Sequence, residues 1–134
     1  MKPSDKPPAK AAKGAKRILV VDDDGDLRTV LTMLLREAGY EASSAEHALA
    51  AVFAAVRTRP ELILVDIRMP IMNGLELVRE LKAHRDTRGI PLVAMTGDDS
   101  PDMRAAALEA GCVGFVAKPF EPNQVLDQIA AWLK

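Results

Sequence analysis

From Arg17 onward, short apolar runs alternate with stretches whose apolar residues recur at helical spacing. The runs at 18–21 and 62–65, for example, are uninterrupted aliphatic segments that stop abruptly at a charged residue. Such runs are typical of buried parallel strands, and the helical stretches between them supply the crossover connections. The alternation therefore predicts five βα units in one α/β domain, with a parallel sheet flanked by helices.

The first two predicted helices have recognisable ends. The first carries its apolar stripe from Leu27 to Ala38, and Gly39 follows where a helix commonly ends on a left-handed residue. The second should begin after Ser43, which stands three residues before Glu46 in a capping-box spacing. Its apolar residues recur at helical spacing as Ala48, Leu49, Val52, Phe53 and Val56, and the helix must end before Pro60.

The later helices are delimited by caps and prolines. Asn73 predicts the start of the third helix, which should run to about His84. Ser100 followed by Pro101 predicts the start of the fourth, and the fifth should begin near Pro122. The fourth helix is rich in alanine, which buries little area per residue, so we expect it to be the easiest of the five to shift.

The strand candidates differ in apolar content, and this difference orders them in a sheet. The stretch 40–45 is the least apolar and is expected at an edge, whereas the runs that end at Asp22 and Asp66 are expected inside. This favours a flavodoxin-like (βα)5 doubly wound parallel sheet with strand order 2-1-3-4-5. Strands one and three are then neighbours, and Asp22, Asp23 and Asp66 should meet at the switch point between them.

Polar residues stand at the ends of four predicted strands. They are Asp22 with Asp23, then Asp66, Thr96 and Lys118. Because the carboxyl ends of parallel strands gather at one edge of a sheet, these residues are expected to form one phosphoryl-transfer pocket. Three converging carboxylates repel one another unless a cation neutralises them. Oxygen ligands without His or Cys favour Mg²⁺, or Mn²⁺, over zinc.

Four segments of the chain resemble the response-regulator receiver family of two-component signalling. They are ILVVDDD at 18–24, LVDIRMPIMNG at 64–74, AMTG at 94–97 and FVAKPF at 115–120. Each stands at a predicted strand end, and together they follow the order of the family. The resemblance extends over residues 17–134.

The resemblance implies a role for each pocket residue. It makes Asp66 the phosphoacceptor. Asp23 is then a direct metal ligand and Asp22 one that acts mainly through water, while the backbone carbonyl of Arg68 completes the protein ligands. Lys118 would supply a second positive charge at the phosphoryl group.

The resemblance also implies a switch. After phosphorylation, Thr96 would move inward to donate its hydroxyl to the phosphoryl group, and Phe115 would rotate into the vacated space. These movements would alter the surface of the fourth helix, the fifth strand and the fifth helix. The Lys118-Pro119 peptide bond resembles the cis bond of the family.

A second pair of residues flanks the same pocket. Arg68 lies two residues beyond Asp66, and Asp98 lies two residues beyond Thr96, at positions that flank the phosphoryl group in the family. We hypothesise that Arg68 and Asp98 pair over the pocket mouth as a lid, which would hinder the hydrolytic water and slow loss of the phosphoryl group. The alternative is two independent solvated charges.

The charge distribution separates a tail from the domain. Residues 1–17 carry six Lys or Arg against one Asp, which leaves twelve basic against eighteen acidic residues over 18–134. Residues 1–16 have no large apolar side chain after Met1, so a flexible basic tail is expected before a domain at 17–134. No apolar run approaches the roughly 20 residues that span a bilayer, so we expect a cytoplasmic protein without membrane insertion.

The chain offers few other reactive side chains. The single Cys112 stands at the start of an apolar run and is expected to be a buried, inert thiol. His47 and His84 lie in separate predicted helices without an acidic partner, so both are expected on the surface and neither as a phosphodonor.

The sequence therefore predicts a stand-alone receiver. It would accept phosphoryl from a sensor histidine kinase or a His phosphotransfer protein and act on a downstream target protein. It would catalyse only its own phosphorylation and dephosphorylation, and direct nucleic-acid binding is not expected. Two alternatives stay open: an aspartate phosphatase of the haloacid dehalogenase type, because Asp22 and Asp24 form a D-x-D motif, and a receiver fold that docks partners without phosphorylation.

Overall fold

The structure is a computed structural model that describes residues 14–68, 73–98 and 100–133. Within these ranges the chain alternates five strands with five helices. The strands are β1 (Arg17–Val21), β2 (Glu41–Ala45), β3 (Leu62–Asp66), β4 (Leu92–Thr96) and β5 (Gly114–Ala117). The helices are α1 (Gly25–Glu37), α2 (Ala48–Thr58), α3 (Gly74–Ala83), α4 (Pro101–Ala110) and α5 (Pro122–Trp132).

The five strands form one parallel sheet in the order β2-β1-β3-β4-β5, which confirms the predicted flavodoxin-like topology. Val21 at the end of β1 pairs with Ala45 of β2 and with Val65 of β3. Thr96 at the end of β4 pairs with Ala117 of β5. Because the register brings all five carboxyl ends to one edge, the residues that follow the strands lie side by side there.

The sheet is covered on both faces, and successive residues of β1 point to opposite sides. Leu19 and Val21 belong to a core shared with α2, α3 and α4. Ile18 and Val20 belong to a second core shared with α1 and α5, which Trp132 also packs against. The two cores therefore pack the sheet on both faces beneath its carboxyl edge.

Most helix ends follow the local signals in the sequence. Asp24 caps α1, Asn73 caps α3 by accepting from the backbone N–H of Glu76, and Ser100 caps α4. Gly111 ends α4 with a positive φ of 124°, a backbone conformation that favours glycine. The predicted starts of the third, fourth and fifth helices are confirmed.

The second helix differs from its prediction. Ser43 lies within β2, so it forms no capping box, and the N-cap is His47, whose Nδ1 accepts the N–H of Ala50 at 3.1 Å. The apolar positions read from the sequence do not mark the buried face, because Leu49 and Phe53 are 65% and 67% exposed. Its buried residues are Ala51, Ala54 and Ala55. Residues 48–56 are apolar throughout, so no polar face marks which side turns to solvent.

Some expectations concern residues that the structure leaves undescribed. The predicted tail lies largely in 1–13, and residues 69–72 of the second resemblance segment also fall outside the described ranges. Among the helices in the described ranges, none has the length and apolar character required to cross a bilayer.

Candidate functional site

Three carboxylates meet at the carboxyl edge of the sheet. Asp22 and Asp23 follow β1, and Asp66 is the last residue of β3. Each contributes an oxygen, and these oxygens lie within 4.8 Å of one another. Asp22 is fully buried, Asp66 is nearly so, and Asp23 is exposed. The group therefore has a buried floor and one carboxylate that faces solvent.

The start of α3 packs directly behind Asp66. The Gly74 N–H donates to the carbonyl of Ile67 at 3.2 Å. An added Cβ at Gly74 would collide with the backbone of Asp66 and Ile67, so only glycine permits this close approach. The helix thereby fixes the end of β3 and the position of its terminal carboxylate.

Lys118 brings a positive charge into the group from the end of β5. Its Nζ donates to Asp22 Oδ2 at 2.9 Å and lies 3.5 Å from Asp66 Oδ2. Its backbone N–H donates to the Thr96 carbonyl at 2.8 Å, which extends the β4–β5 pairing. The Lys118-Pro119 peptide bond is cis, as the resemblance implies.

Burial and mutual repulsion shift the ionisation of this group. Burial raises the pKa of Asp66, and the charge of Asp22 adds to the effect, which the N–H of Arg68 and the ammonium of Lys118 offset only in part. Burial alone would lower the pKa of Lys118, but its bond to Asp22 and the charges of Asp66 and Asp22 outweigh burial and raise it. Lys118 is therefore a stable cation in a pocket with excess negative charge.

Thr96 ends β4 beside this group and is fully buried. Its Oγ1 accepts the backbone N–H of Asp98 at 3.1 Å, so the hydroxyl proton is still able to donate to another oxygen. Among the residues that the structure describes, no atom lies within 4 Å of the position a Cβ would take at Gly97. The residue after Thr96 is therefore not packed against the described residues.

Arg68 and Asp98 form an ion pair at the same edge. Arg68 Nη2 lies 3.1 Å from Asp98 Oδ2, and the backbone N–H of Arg68 donates to Asp66 Oδ1 at 3.0 Å. Hydrogen bonds from Ser100 lower the pKa of Asp98, and Arg68 adds to this effect. The ion pair thus links the segment that follows β3 to the segment that follows β4. The role of the Arg68 carbonyl as a metal ligand stays a prediction.

Phe115 is half-buried in β5 and packs against the core on the α4 side. The guanidinium carbon of Arg104, in α4, lies 4.7 Å from the centroid of its ring, within the range of a cation–π interaction. The aromatic ring is therefore held between the sheet and α4.

Arg28 is a residue of this site that was not predicted from the sequence. Its Nη1 donates to the backbone carbonyl of Asp22 at 2.7 Å, and its Nη2 lies 3.9 Å from Glu46 Oε2. An arginine in the second turn of a helix is an ordinary solvent-facing residue by pattern alone. The signal that could have found it is its direction, because helical side chains lean toward the N-terminus and hence toward the loop that carries Asp22.

The oxygens of the three aspartates fit a hard divalent cation. The group consists of carboxylates alone, the donor type that Mg²⁺ and Mn²⁺ prefer, whereas zinc sites in proteins usually include Cys or His. Lys118 supplies one positive charge against three carboxylates. The residues therefore fit the cation predicted from the sequence.

The chain matches known proteins over most of its length. A family model for the response regulator receiver domain matches residues 18–130. The chain is 35% identical over 119 residues to the phosphate regulon transcriptional regulatory protein PhoB of Pseudomonas aeruginosa, which covers 89% of the chain and 52% of that protein. It is 33% identical over 127 residues to the autoinducer sensor kinase/phosphatase CqsS of Vibrio cholerae, covering 94% of the chain and 18% of that protein.

Solved structures with the same fold include two with clear similarity in sequence. The chemotaxis protein CheY4 of Vibrio cholerae superposes with a TM-score of 0.85 at 28% identity, covering 89% of this chain and 99% of that one. The receiver domain of sensor histidine kinase PA1611 of Pseudomonas aeruginosa has a magnesium ion coordinated in its active site cleft. It superposes with a TM-score of 0.81 at 31% identity, covering 89% of this chain and 98% of that one.

The chain matches only part of each of the two curated relatives. The chain spans about half the length of the curated transcriptional regulators and a smaller share of the sensor kinase. The chain belongs to the response regulator receiver domain family of two-component signalling.

Proposed function

We propose that this receiver accepts a phosphoryl group on Asp66 from a phosphohistidine of a sensor histidine kinase or a His phosphotransfer protein. The observation that carries the proposal is the position of the Asp66 carboxylate. It lies at the switch point of the sheet, beside Asp22 and Asp23 and 3.5 Å from the ammonium of Lys118. The cytoplasmic location expected from the sequence forms part of the same proposal.

Contacts within the group favour Asp66 as the nucleophile. Asp22 is already engaged, because one oxygen accepts from Lys118 at 2.9 Å and the other accepts the N–H of Asp24 at 3.0 Å. Asp23 is exposed and suited to holding a cation. Lys118 Nζ lies 3.5 Å from Asp66 Oδ2 but 2.9 Å from Asp22 Oδ2. The lone pairs of Asp66 Oδ2 are therefore held less strongly by the ammonium and are more available for attack.

In the proposed step, an oxygen of Asp66 attacks the phosphorus of the phosphohistidine and forms a P–O bond. The P–N bond breaks, and its electron pair returns to the imidazole nitrogen. Lys118 stabilises charge on the transferring oxygens. A Mg²⁺ or Mn²⁺ held by Asp23, Asp66, the Arg68 carbonyl and, through water, Asp22 would neutralise negative charge on the phosphoryl group.

The new phosphoryl dianion then favours a different arrangement of the pocket. It offers acceptor oxygens to the hydroxyl of Thr96 and to Lys118, and only such differential contacts can shift a conformational equilibrium. Movement of Thr96 would give Phe115 space to rotate inward, which requires its contact with Arg104 to break. The signal would leave through α4, β5 and α5 to a separate target protein.

Two further elements of the proposal concern lifetime and partners. The Arg68–Asp98 pair crosses the pocket edge and would hinder the approach of water to the phosphoryl group. The expected absence of nucleic-acid binding stays a prediction, since relatives of about twice the length include the DNA-binding response regulator MtrA.

Of the two alternative functions proposed from the sequence, the phosphatase has lost its support and the docking module is still open to experiment. The phosphatase reading depends on Asp24 as the second acid of a D-x-D motif, but Asp24 caps α1 by accepting from the N–H groups of Asp26 and Leu27. The chain also belongs to the receiver family, so this reading loses its basis. A docking module without phosphorylation is separated from our proposal by the experiment below.

Intact mass after incubation with acetyl phosphate or phosphoramidate and Mg²⁺ tests the proposal. The wild type should gain about 80 Da, the mass of one phosphoryl group, and the gain should disappear when EDTA is added first. Asp66→Asn should gain nothing, while Glu109→Gln, an exposed acid on α4, should behave as the wild type. A wild-type chain that never gains mass would favour the docking module.

A further inference from the structure

The outer face of α2 is apolar where a surface helix is normally polar. Residues 48–56 read ALAAVFAAV, without a polar side chain. A helix that is apolar all round is normally buried on all sides. The inner side of α2 packs against β1, β2 and α3, and its other side faces solvent.

Large and small side chains of α2 occupy the opposite faces from those of an ordinary amphipathic helix. The inner face is made of Ala51, Ala54 and Ala55. The outer face presents Leu49 and Phe53, which are one helical turn apart and 65% and 67% exposed. We call Leu49 and Phe53 the α2 ridge. Adjacent large apolar side chains that face solvent favour a contact with another molecule, because burying them removes apolar area from water.

Opposite charges stand at the two ends of this ridge. Glu46 precedes α2 at its N-terminal end, and Arg57 lies in its last turn, and both are exposed. If a second copy of the helix lies antiparallel on the first, each Glu46 comes next to an Arg57 of the other copy. A two-fold axis, the commonest symmetry of homo-oligomers, produces such an antiparallel arrangement of one patch with itself.

The N-terminal segment of the same chain does not fit the ridge. Residues 1–16 contain five Lys and no large apolar side chain after Met1, so they offer nothing that would fill the spaces around Phe53. Their positive charge would also oppose that of Arg57. The opposite charges at the two ends of the α2 ridge instead complement a second copy of the same ridge.

We propose that α2 is a homodimer interface, in which the α2 ridges of two copies pack antiparallel about a two-fold axis, with Phe53 of each copy against Leu49 of the other. Aromatic side chains at the centre of an interface commonly dominate its energy. The ridge lies at the β2 side of the sheet, whereas α4 and β5 lie at the other, so dimerisation leaves the signalling surface free.

Sedimentation velocity over a concentration series up to about 1 mM tests the interface. The wild type should form a dimer, and Phe53→Asp should raise the dissociation constant roughly 30-fold or more. Because Phe53 is mostly exposed, this change should leave the fold intact, which circular dichroism verifies. Leu108→Asp is the matched control, since Leu108 is 61% exposed on α4, and it should leave the dimer unchanged. A wild type that stays monomeric, or a dimer that is lost with Leu108→Asp and not with Phe53→Asp, overturns the proposal.

A charge-reversal cycle tests the antiparallel arrangement. Glu46→Arg and Arg57→Glu should each weaken the dimer, and the double variant should restore it, because opposite charges face each other again. Glu46 also lies 3.9 Å from Arg28, but this contact changes equally in the single Glu46→Arg and double variants. Failure of the double variant to recover contradicts the arrangement. No phosphoryl donor is present in these measurements, so their outcome is independent of the proposed function.

Discussion

At the scale of single residues, hydrogen bonding separates the roles of the two inner carboxylates. Asp22 and Asp66 are both buried beside Lys118, yet the shorter contact of Lys118 is with Asp22. Arg28 holds the backbone carbonyl of Asp22 in addition. Asp22 is thereby fixed as a structural part of the pocket, and Asp66 keeps an oxygen for chemistry.

Arg28 is expected to act on metal binding through the position of Asp22. Arg28→Ala removes the bond to the Asp22 carbonyl and should weaken Mg²⁺ binding about tenfold, as the loss of supporting contacts around metal ligands commonly does. Isothermal titration with Mg²⁺ measures this directly. Arg79→Ala, an exposed arginine on α3, serves as the control. Unchanged Mg²⁺ affinity alongside lower thermal stability would assign Arg28 a role in folding alone.

The Arg68–Asp98 pair is expected to slow hydrolysis of the acyl phosphate. Arg68→Ala should speed dephosphorylation by up to about fivefold, because exposed ion pairs contribute little energy. Asp98→Ala should have a similar effect, and the double variant should add little to either single change. The decay of the phosphorylated species, followed by intact mass, gives the rate. An unchanged rate in Arg68→Ala would mean that the lid does not operate.

Cys112 should be unreactive in the folded protein. Burial raises the pKa of its thiol to about 11, while the nearby Lys82 charge acts in the opposite direction. The folded thiol therefore holds its proton more tightly than an unfolded one. At about pH 8 the thiolate fraction, and hence the labelling rate with a disulfide reagent, should be at least about 100-fold lower than in urea-unfolded protein. Equal rates in the two states would contradict the burial of Cys112.

At the scale of helices and strands, prediction succeeded where the signal was local. Asn73 and Ser100 cap the helices that they were expected to start, because a cap depends on residues within one turn. The predicted start of the second helix was wrong, because Ser43 lies in β2. Its buried face could not be predicted, because the helix sequence has no polar side and only packing decides that its alanines face the sheet. The contact of Arg104 with Phe115 could not be predicted, since it joins different elements in space. The bond from Arg28 to Asp22 was missed as well, although the lean of helical side chains toward the N-terminus is a signal for it.

The weak anchoring of α4 predicts that it opens more easily than its neighbour α3. The buried residues of α4 are Ala107 and Ala110, whereas α3 buries Leu77, Val78 and Leu81. Because large side chains bury more apolar area, amide hydrogen exchange in α4 should be about tenfold faster than in α3 or more. The two helices serve as internal controls in one experiment. Protection of α4 equal to that of α3 would contradict its role as the mobile element.

At the scale of the whole molecule, the pocket results from the order and register of the sheet. Asp22, Asp66, Thr96 and Lys118 come from four separate segments of the chain, and the strand order β1-β3-β4-β5 sets them along one edge. This placement was predictable from the sequence because each residue directly follows or ends an apolar run. The different distances from Lys118 to Asp22 and to Asp66, which distinguish the roles of the two carboxylates, could be obtained only from the structure.

The identity of the phosphorylated carboxyl is the most direct test of the account. Hydroxylamine attacks an acyl phosphate, releases phosphate and leaves a hydroxamate about 15 Da heavier than the original carboxylic acid. Peptide mass mapping after treatment with acetyl phosphate, Mg²⁺ and hydroxylamine should find this change at Asp66, and no change when the donor is omitted. A hydroxamate at Asp22 or Asp23 instead, or a phosphoryl group on another side chain, would contradict the account.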